Sequence, residues 1–429
     1  MTNPANLKLT ESLALFARAQ QRIPGGSQTN SKRPSQFAFG GYPIYAERGN
    51  GGHIVDVDGN MYIDLVQALG PVILGYHHPT VDAAIADQLA RGIIYGLLSP
   101  LEVACAELLG EVVPCAEMVR FFKGGGEATA AAARTVRGFT EREVILNCGY
   151  RGWPDIWAIT TGDPGVPEVL GSYVATFREF DLEELAAKFQ HHHGEVAAVF
   201  LDIQRAEPPP GYLAAVKALC HEHGALLVYD EIVTGFRLAP GGMQERYGVT
   251  PDLACFAKAM ANGMPLACVA GRGDVMATMA ERAISITYGG EALSLAAAIA
   301  TVTTIREQRV TDYLWTLGAQ LQEGLNQAAQ VADIPFHCGG LAPMSTMAFT
   351  ESAPHASTLL WEYFLQEMAV RGVLLRRGGL NFLTYSHTAA DVAQVVAAAQ
   401  DVFGALRTLW GSEQLAAAVQ ARKAINGVG

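Results

Sequence analysis

Positive charge is in short supply in this chain. Thirty lysines and arginines face 42 acids across 429 residues, a formal net charge of −12. This excludes nucleic acid or an anionic membrane as the main partner, because both are bound through basic surfaces. Cysteine is sparse and irregular: seven residues, an odd number, scattered and mostly inside apolar runs. Such usage excludes a disulfide framework and fits reduced core thiols in a cytoplasmic protein. No stretch reaches the roughly 18 apolar residues of a membrane span. The opening MTNPANLKLTESLALFARAQ has no long apolar core behind a basic start, so it does not read as a signal peptide. The run His191–His193 and the pair His221 and His223 lack cysteine or carboxylate neighbours at ligand spacing, which argues against a metal site.

What is present is a globular composition, 50% hydrophobic and 17% charged. The length allows one large core and at least one smaller domain. Residues 8–21 place Leu13, Leu15, Phe16 and Ala19 near helical spacing. A Pro-Gly-Gly break at Pro24–Gly26 and a polar loop, Ser27–Pro34, follow. Short strands are expected at Ile44–Arg48, His53–Val57 and Met61–Leu65, the last two joined by the turn Asp58-Gly59-Asn60. From about residue 118, strands alternate with helices. The strands are Val119–Phe122, Val144–Asn147, Tyr173–Thr176, Val196–Asp202, Leu226–Tyr229, Leu253–Phe256 and Ala267–Gly271. This alternation predicts an α/β fold, a mostly parallel sheet covered by helices on both faces. After about residue 310 the pattern becomes helix, short strands, helix, as for a smaller α+β C-terminal subdomain. The expected divisions are an N-terminal segment over 1–65, a large domain over 66–308 and a small domain over 309–429.

The most informative chemistry lies between Ala225 and Pro265. Ala225–Tyr229 is a short apolar run, as in a strand buried on both faces, and it ends in Asp230 and Glu231. Carboxylates in that place are costly unless something cationic meets them. Leu253–Phe256 is a second such run and delivers Lys258, flanked by Phe256, Ala257, Ala259 and Met260. An acid at one strand end and an amine just past another are what pyridoxal phosphate requires. The acid holds a proton on the pyridine nitrogen and the amine forms the Schiff base. On a plainer reading Lys258 is a solvated lysine, and Asp230 and Glu231 cap local structure or pair with Arg237.

Three further segments bear on this reading. Lys123–Ala128 (KGGGEA) turns from a strand into a helix, and glycine N–H groups at a positive helix end suit a phosphate. Its spacing is neither GxGxxG nor GxxxxGK, so dinucleotide and P-loop readings lose support. Tyr150 in CGYRGW can stack on a flat ring or pack at a rim. Thr287 in SITYGGEALS is a loop hydroxyl able to cap the helix near Glu291.

Together these segments resemble the class III pyridoxal-phosphate-dependent aminotransferases, and among them the glutamate-1-semialdehyde aminomutase branch. The likeness covers nearly the whole chain. It is carried by LFARAQQRIPGG (15–26), HIVDVDGNMYIDL (53–65), GPVILGYHHP (70–79), MVRFFKGGGEA (118–128), GALLVYDEIVTGFR (224–237), KAMANGMP (258–265), TYGGEALSLAA (287–297) and SHTAADV (386–392). The resemblance implies the pyridoxal-phosphate transferase fold type I and a homodimer with shared active sites. It implies an enzyme moving an amino group between a small-molecule donor, most simply an amino acid, and a carbonyl acceptor. An aminomutase is the alternative. By the same resemblance, Lys258 is the Schiff-base lysine and Asp230 the pyridinium partner. Ile232 lies beneath the ring and Tyr150 above it, Gly125 and Gly126 form the phosphate cradle, and Thr287 is lent by the other subunit.

The sequence departs from the family pattern at three places. Gly124-Gly125-Gly126-Glu127-Ala128 stands where the family has Ser-Gly-Thr-Glu-Ala, so two hydroxyl donors are gone. Tyr150-Arg151-Gly152 stands in place of Tyr-His-Gly. Ser27–Arg33, carrying Lys32 and Arg33, replaces the aminomutase's substrate loop. Lys32, Arg33, Arg151 and Arg377 are expected to line the mouth of the site and grip a substrate carboxylate.

Overall fold

The computed structural model describes residues 7–350 and 357–428. Two compact units share the chain: Pro79–Asp312, and a second in which the residues up to His78 join those from Tyr313 onward. The second unit opens with a helix, Thr10–Gln20, and three short strands, β1 (Ala46–Asn50), β2 (His53–Asp56) and β3 (Met61–Asp64), paired antiparallel.

The unit Pro79–Asp312 is built on seven strands: β4 (Met118–Phe122), β5 (Val144–Cys148), β6 (Val174–Thr176), β7 (Val196–Leu201), β8 (Leu226–Glu231), β9 (Leu253–Phe256) and β10 (Ala267–Gly271). Their order across the sheet is β4-β10-β9-β8-β7-β5-β6. All pairings are parallel except those of β10, which runs antiparallel to both of its neighbours. β4 and β9 therefore run the same way, and every strand but β10 brings its carboxyl end to one edge. Every residue of β5, β7, β8, β9 and β10 is buried. This is why the strands read as continuous apolar runs instead of alternating ones. The helix Gly125–Thr140 lays an alanine-rich face (Ala128, Ala131, Ala132) against Ile145, Ala198, Val228 and Cys255 of the sheet. Small side chains let the helix axis come close to the strands.

In the other unit a parallel pair, Val373↔Ile63 and Leu374↔Asp64, extends the N-terminal sheet. β11 (Phe336–Gly339), β12 (Met344–Phe349), β13 (Val373–Leu374) and β14 (Leu380–Phe382) complete its strands. β13 is the strand that pairs with β3, and the other three make a separate antiparallel sheet. The helices Ser357–Val370 and Ala389–Leu409 meet it through an aromatic cluster. Phe336 lies 5.0 Å from Phe403, and Phe364 stacks on Phe403 at 5.3 Å. Ala389–Leu409 is long and apolar enough, by length and composition alone, to cross a membrane. It buries Val392, Val395, Ala399, Val402, Phe403 and Leu406 and begins at a Thr388–Asp391 capping box, so it serves as a core helix.

His387 closes this unit from within. Thr384 N–H donates to its Nδ1 (3.0 Å) and its Nε2 lies 3.1 Å from the Gly52 carbonyl, so the ring sits neutral with the proton on Nε2. A Cβ on Gly52 would lie 2.3 Å from the ring, so only glycine fits there. Burial holds the imidazole down, from an ordinary 6.5 to about 4. The unfolded chain takes up its proton at the higher value, so this contribution is full above pH 6.5 and lost as the pH falls toward 4. The loss should approach about 3 kcal/mol. Urea titrations at the two ends of that window should show it, and His387→Gln should flatten the difference.

Candidate active site

Register fixes the neighbours at the carboxyl edge. Cys148 pairs with Leu201, and Leu201 with Tyr229. The next residues along, Gly149 after β5, Asp202 after β7 and Asp230 on β8, therefore stand side by side. Cys255 pairs with Asp230 and Phe256 with Glu231, so Lys258 leaves β9 beside them.

Alternation along β8 sends its two acids to opposite faces. Glu231 is fully buried and answered locally. It accepts from Thr234 Oγ1 (2.6 Å), Met243 N–H (2.9 Å) and Gln244 N–H (3.2 Å), so it caps the short helix Met243–Tyr247. Burial pushes its carboxyl up to about 7. Asp230, 3% exposed, shares its face with Val228. Its Oδ1 accepts the Ile232 N–H (3.0 Å) and its Oδ2 lies 3.3 Å from Arg151 Nη1. Burial pushes the Asp230 carboxyl up, while Arg151, the Ile232 amide and Lys258 pull it back.

Lys258 sits in left-handed backbone, φ +45°, at the start of a single turn, Lys258–Ala261. A lysine held there stores local strain, a feature that clusters at functional sites. Its charge acts on both Asp230 and Asp202.

From the same edge, β4 leads through Lys123 and Gly124 into the helix that starts at Gly125. The Glu127 carboxylate accepts the N–H groups of Lys123 (3.0 Å) and Gly124 (2.9 Å). The N–H groups of Gly125 and Gly126, in the first turn, have no intrahelical acceptor. Lys123 Nζ is bound to Glu291 (2.8 Å), so the positive field at this helix end is that of the backbone. The first two helical positions leave little room for side chains. A Cβ on Gly125 would lie 2.7 Å from Ile232 Cδ1, and one on Gly126 would lie 3.2 Å from Pro154. Thr129 Oγ1 ties the turn to the loop after β5, meeting the carbonyls of Gly126 and Arg151 (3.1 Å each). These groups fit pyridoxal phosphate: backbone donors at a helix N-terminus for the phosphate, a buried carboxylate for the ring nitrogen, and a partly buried amine beside it.

The remaining expected residues separate. Tyr150 follows β5 and is 69% exposed, and Trp153 is 83% exposed. Thr287 is exposed and lines a groove of about 770 Å³ with Ile94–Ser99, Val119–Phe121 and Gly289–Gly290. The cap of the following helix is Glu291, which accepts from Leu293 and Ser294 N–H, so Thr287 does not have that task. Lys32, Arg33 and Arg377 belong to the other unit, where Arg377 Nη2 donates to the Ser35 carbonyl (3.2 Å) and so joins the loop after Lys32 and Arg33.

Arg151 departs from its expected place at the mouth of the site, because its side chain is fully buried. Its guanidinium is held by Asp230, by Asp202 (3.4 Å), and by the carbonyls of Tyr150 (3.0 Å) and Cys148. Two carboxylates at neighbouring strand ends draw the cation inward. Burial pushes the Asp202 carboxyl up as well, and Arg151 pulls it back. Asp202 is not among the expected residues, although it closes the apolar run Val196–Leu201 just as Asp230 closes its own.

The sequence pattern described as aminotransferase class-III matches residues 38–388. The chain is 33% identical over 407 residues to 3-aminobutyryl-CoA aminotransferase of Cloacimonas acidaminovorans, covering 92% of this chain and 97% of that protein. It is 35% identical over 432 residues to glutamate-1-semialdehyde 2,1-aminomutase of Roseiflexus castenholzii, covering 94% and 98%. Among solved structures it resembles the pyridoxal phosphate internal-aldimine form of the FumI protein of Sphingopyxis sp. MTA144. That likeness has a TM-score of 0.89 at 28% identity over 95% of this chain and 100% of that one. The chain thus belongs to the class III aminotransferases, and it is a pyridoxal-phosphate-dependent enzyme that moves an amino group from a donor to a carbonyl acceptor.

Proposed function

We propose that Lys258 and Asp230 carry this reaction, that Lys32, Arg33 and Arg377 select a carboxylate-bearing substrate, and that two copies of the chain share each active site in the cytoplasm. The observation that carries the first part is the meeting of a buried carboxylate and a strained, partly buried lysine at adjacent strand ends. When bound, pyridoxal phosphate supplies an electron sink for the carbanion formed at the substrate carbon. Lys258 would hold the cofactor through its Nζ, and that amine, when free, would carry the proton to and from that carbon. Asp230 would hold the proton on the ring nitrogen. Gly125 and Gly126 would offer N–H groups to the phosphate, and Ile232 and Tyr150 would hold the ring. Lys258→Ala should abolish turnover and the yellow colour of the loaded protein. Borohydride labelling that falls on another lysine would refute the assignment.

A second reading, an aminomutase, is favoured by the relatives that bear that name. Keto acid released in step with donor consumed distinguishes the transaminase from it.

The groove holding Thr287 supports the dimer. Leu97 and Leu98 are 85% and 87% exposed, and Ile93, Ile94, Tyr95, Val103 and Tyr288 are exposed as well. An apolar surface of that extent on a globular protein calls for a cover. A second copy there brings Thr287 to the other subunit's phosphate. The seven buried, free thiols agree with a reducing compartment. Leu97→Asp/Leu98→Asp should give monomers without cofactor in light scattering and absorbance, and an active monomer would contradict the shared site. Thr287→Ala should weaken cofactor retention by about 1–3 kcal/mol, the cost of one charge-assisted hydrogen bond.

The substrate assignment rests on three cations in one neighbourhood, Lys32 and Arg33 beside the loop residue Ser35 that Arg377 contacts. Neutralising Lys32 or Arg377 should raise KM tenfold or more for carboxylate amines, about 1.4 kcal/mol, and leave uncharged amines unchanged. Parallel shifts for both classes would remove the carboxylate from the proposal.

A further inference from the structure

Arg151 stands where the family pattern has histidine, and the exchange creates an electrostatic difficulty. An arginine is charged at every accessible pH. Beside a single buried carboxylate it completes a neutral ion pair, leaving that carboxylate little net charge for a second cation. Asp230 is that carboxylate, 3.3 Å from Arg151 Nη1, with both side chains essentially shut off from water.

The same nitrogen lies 3.4 Å from Asp202 Oδ2. One guanidinium nitrogen is thus shared by two buried carboxylates, and Gln204 Nε2 donates to the outer one. The backbone turns to permit the approach. Gly149 adopts φ +102°, and a Cβ there would lie 2.8 Å from Asp202 Cβ and 3.1 Å from Arg151 Nη1. With both acids ionised, Asp202, Arg151 and Asp230 together carry one net negative charge, and Lys258 is the fourth charged group acting on them.

We infer that Asp202 is a positioning residue for the cofactor: it takes up the charge of Arg151 so that Asp230 keeps its own for the pyridine nitrogen. The inference rests on the proposed role of Asp230 and concerns how that role survives beside a permanent cation. Removing Asp202 should turn Asp230 toward Arg151. Removing Arg151 as well should release it again, a rescue that a merely structural Asp202 would not give.

The test uses the full-length enzyme and pyridoxal phosphate carrying an NMR-active nitrogen label in its ring. In Asp202→Asn the dissociation constant for pyridoxal phosphate should rise tenfold or more, and the ring-nitrogen resonance should move toward the unprotonated position. In Asp202→Asn/Arg151→Gln the affinity should return to within about threefold of wild type, and the resonance should return with it. Wild-type affinity and resonance in Asp202→Asn, or a double variant as weak as that single one, overturns the inference. Asp230→Asn is the control. If it binds the cofactor with wild-type affinity and resonance, the reading of Asp230 fails, an outcome separate from any result at Asp202.

Discussion

A buried carboxylate must be answered by positive charge or by hydrogen-bond donors, and at the carboxyl edge of the seven-stranded sheet this requirement orders what lies within reach. β8 ends in two acids that meet it in different ways. Glu231 is closed off by two backbone amides and a hydroxyl from the segment that follows it, and serves as a capping group. Asp230 is met by a guanidinium that also serves Asp202, and the charge of Lys258 acts on both carboxyls.

The helix end follows the opposite principle. Three glycines in succession provide no side-chain donor, the nearest lysine is held by Glu291, and Glu127 occupies the two amides that precede the helix. What remains is the first turn of the helix Gly125–Thr140, whose amides and dipole do not depend on any rotamer. One end of this edge is thus governed by side-chain charges and the other by backbone amides.

Much of this is legible in the sequence, because buried parallel strands announce themselves as apolar runs and charged residues at their ends stand out. All the central strands lie within about two residues of their expected limits, and Asp230 and Lys258 stand out by the same signal. Asp202 carries that signal too, but its run reads through to the acid as one strand, which hides the residue that ends it. Arg151 shows the limit of residue type as a guide. A cation in a loop reads as a group facing solvent, and only the register of β5, β7 and β8 reveals two acids beside it. The gathering of the first 78 residues with those from Tyr313 onward is likewise invisible in sequence, since it is sealed by β3 pairing with the distant β13.

The glycine at 126 has a consequence for how this chain can change. A Cβ there would sit 3.2 Å from Pro154, tighter than side chains ordinarily tolerate, and Gly152 beside it holds φ +99°. A larger residue at 126 needs Pro154 to yield by a few tenths of an ångström, so what the turn can hold depends on the loop after β5. The two positions are coupled: the side chain tolerated at 126 is set by how far Pro154 can move. A neighbour with no chemical part in the reaction thereby takes a share in what the turn can carry.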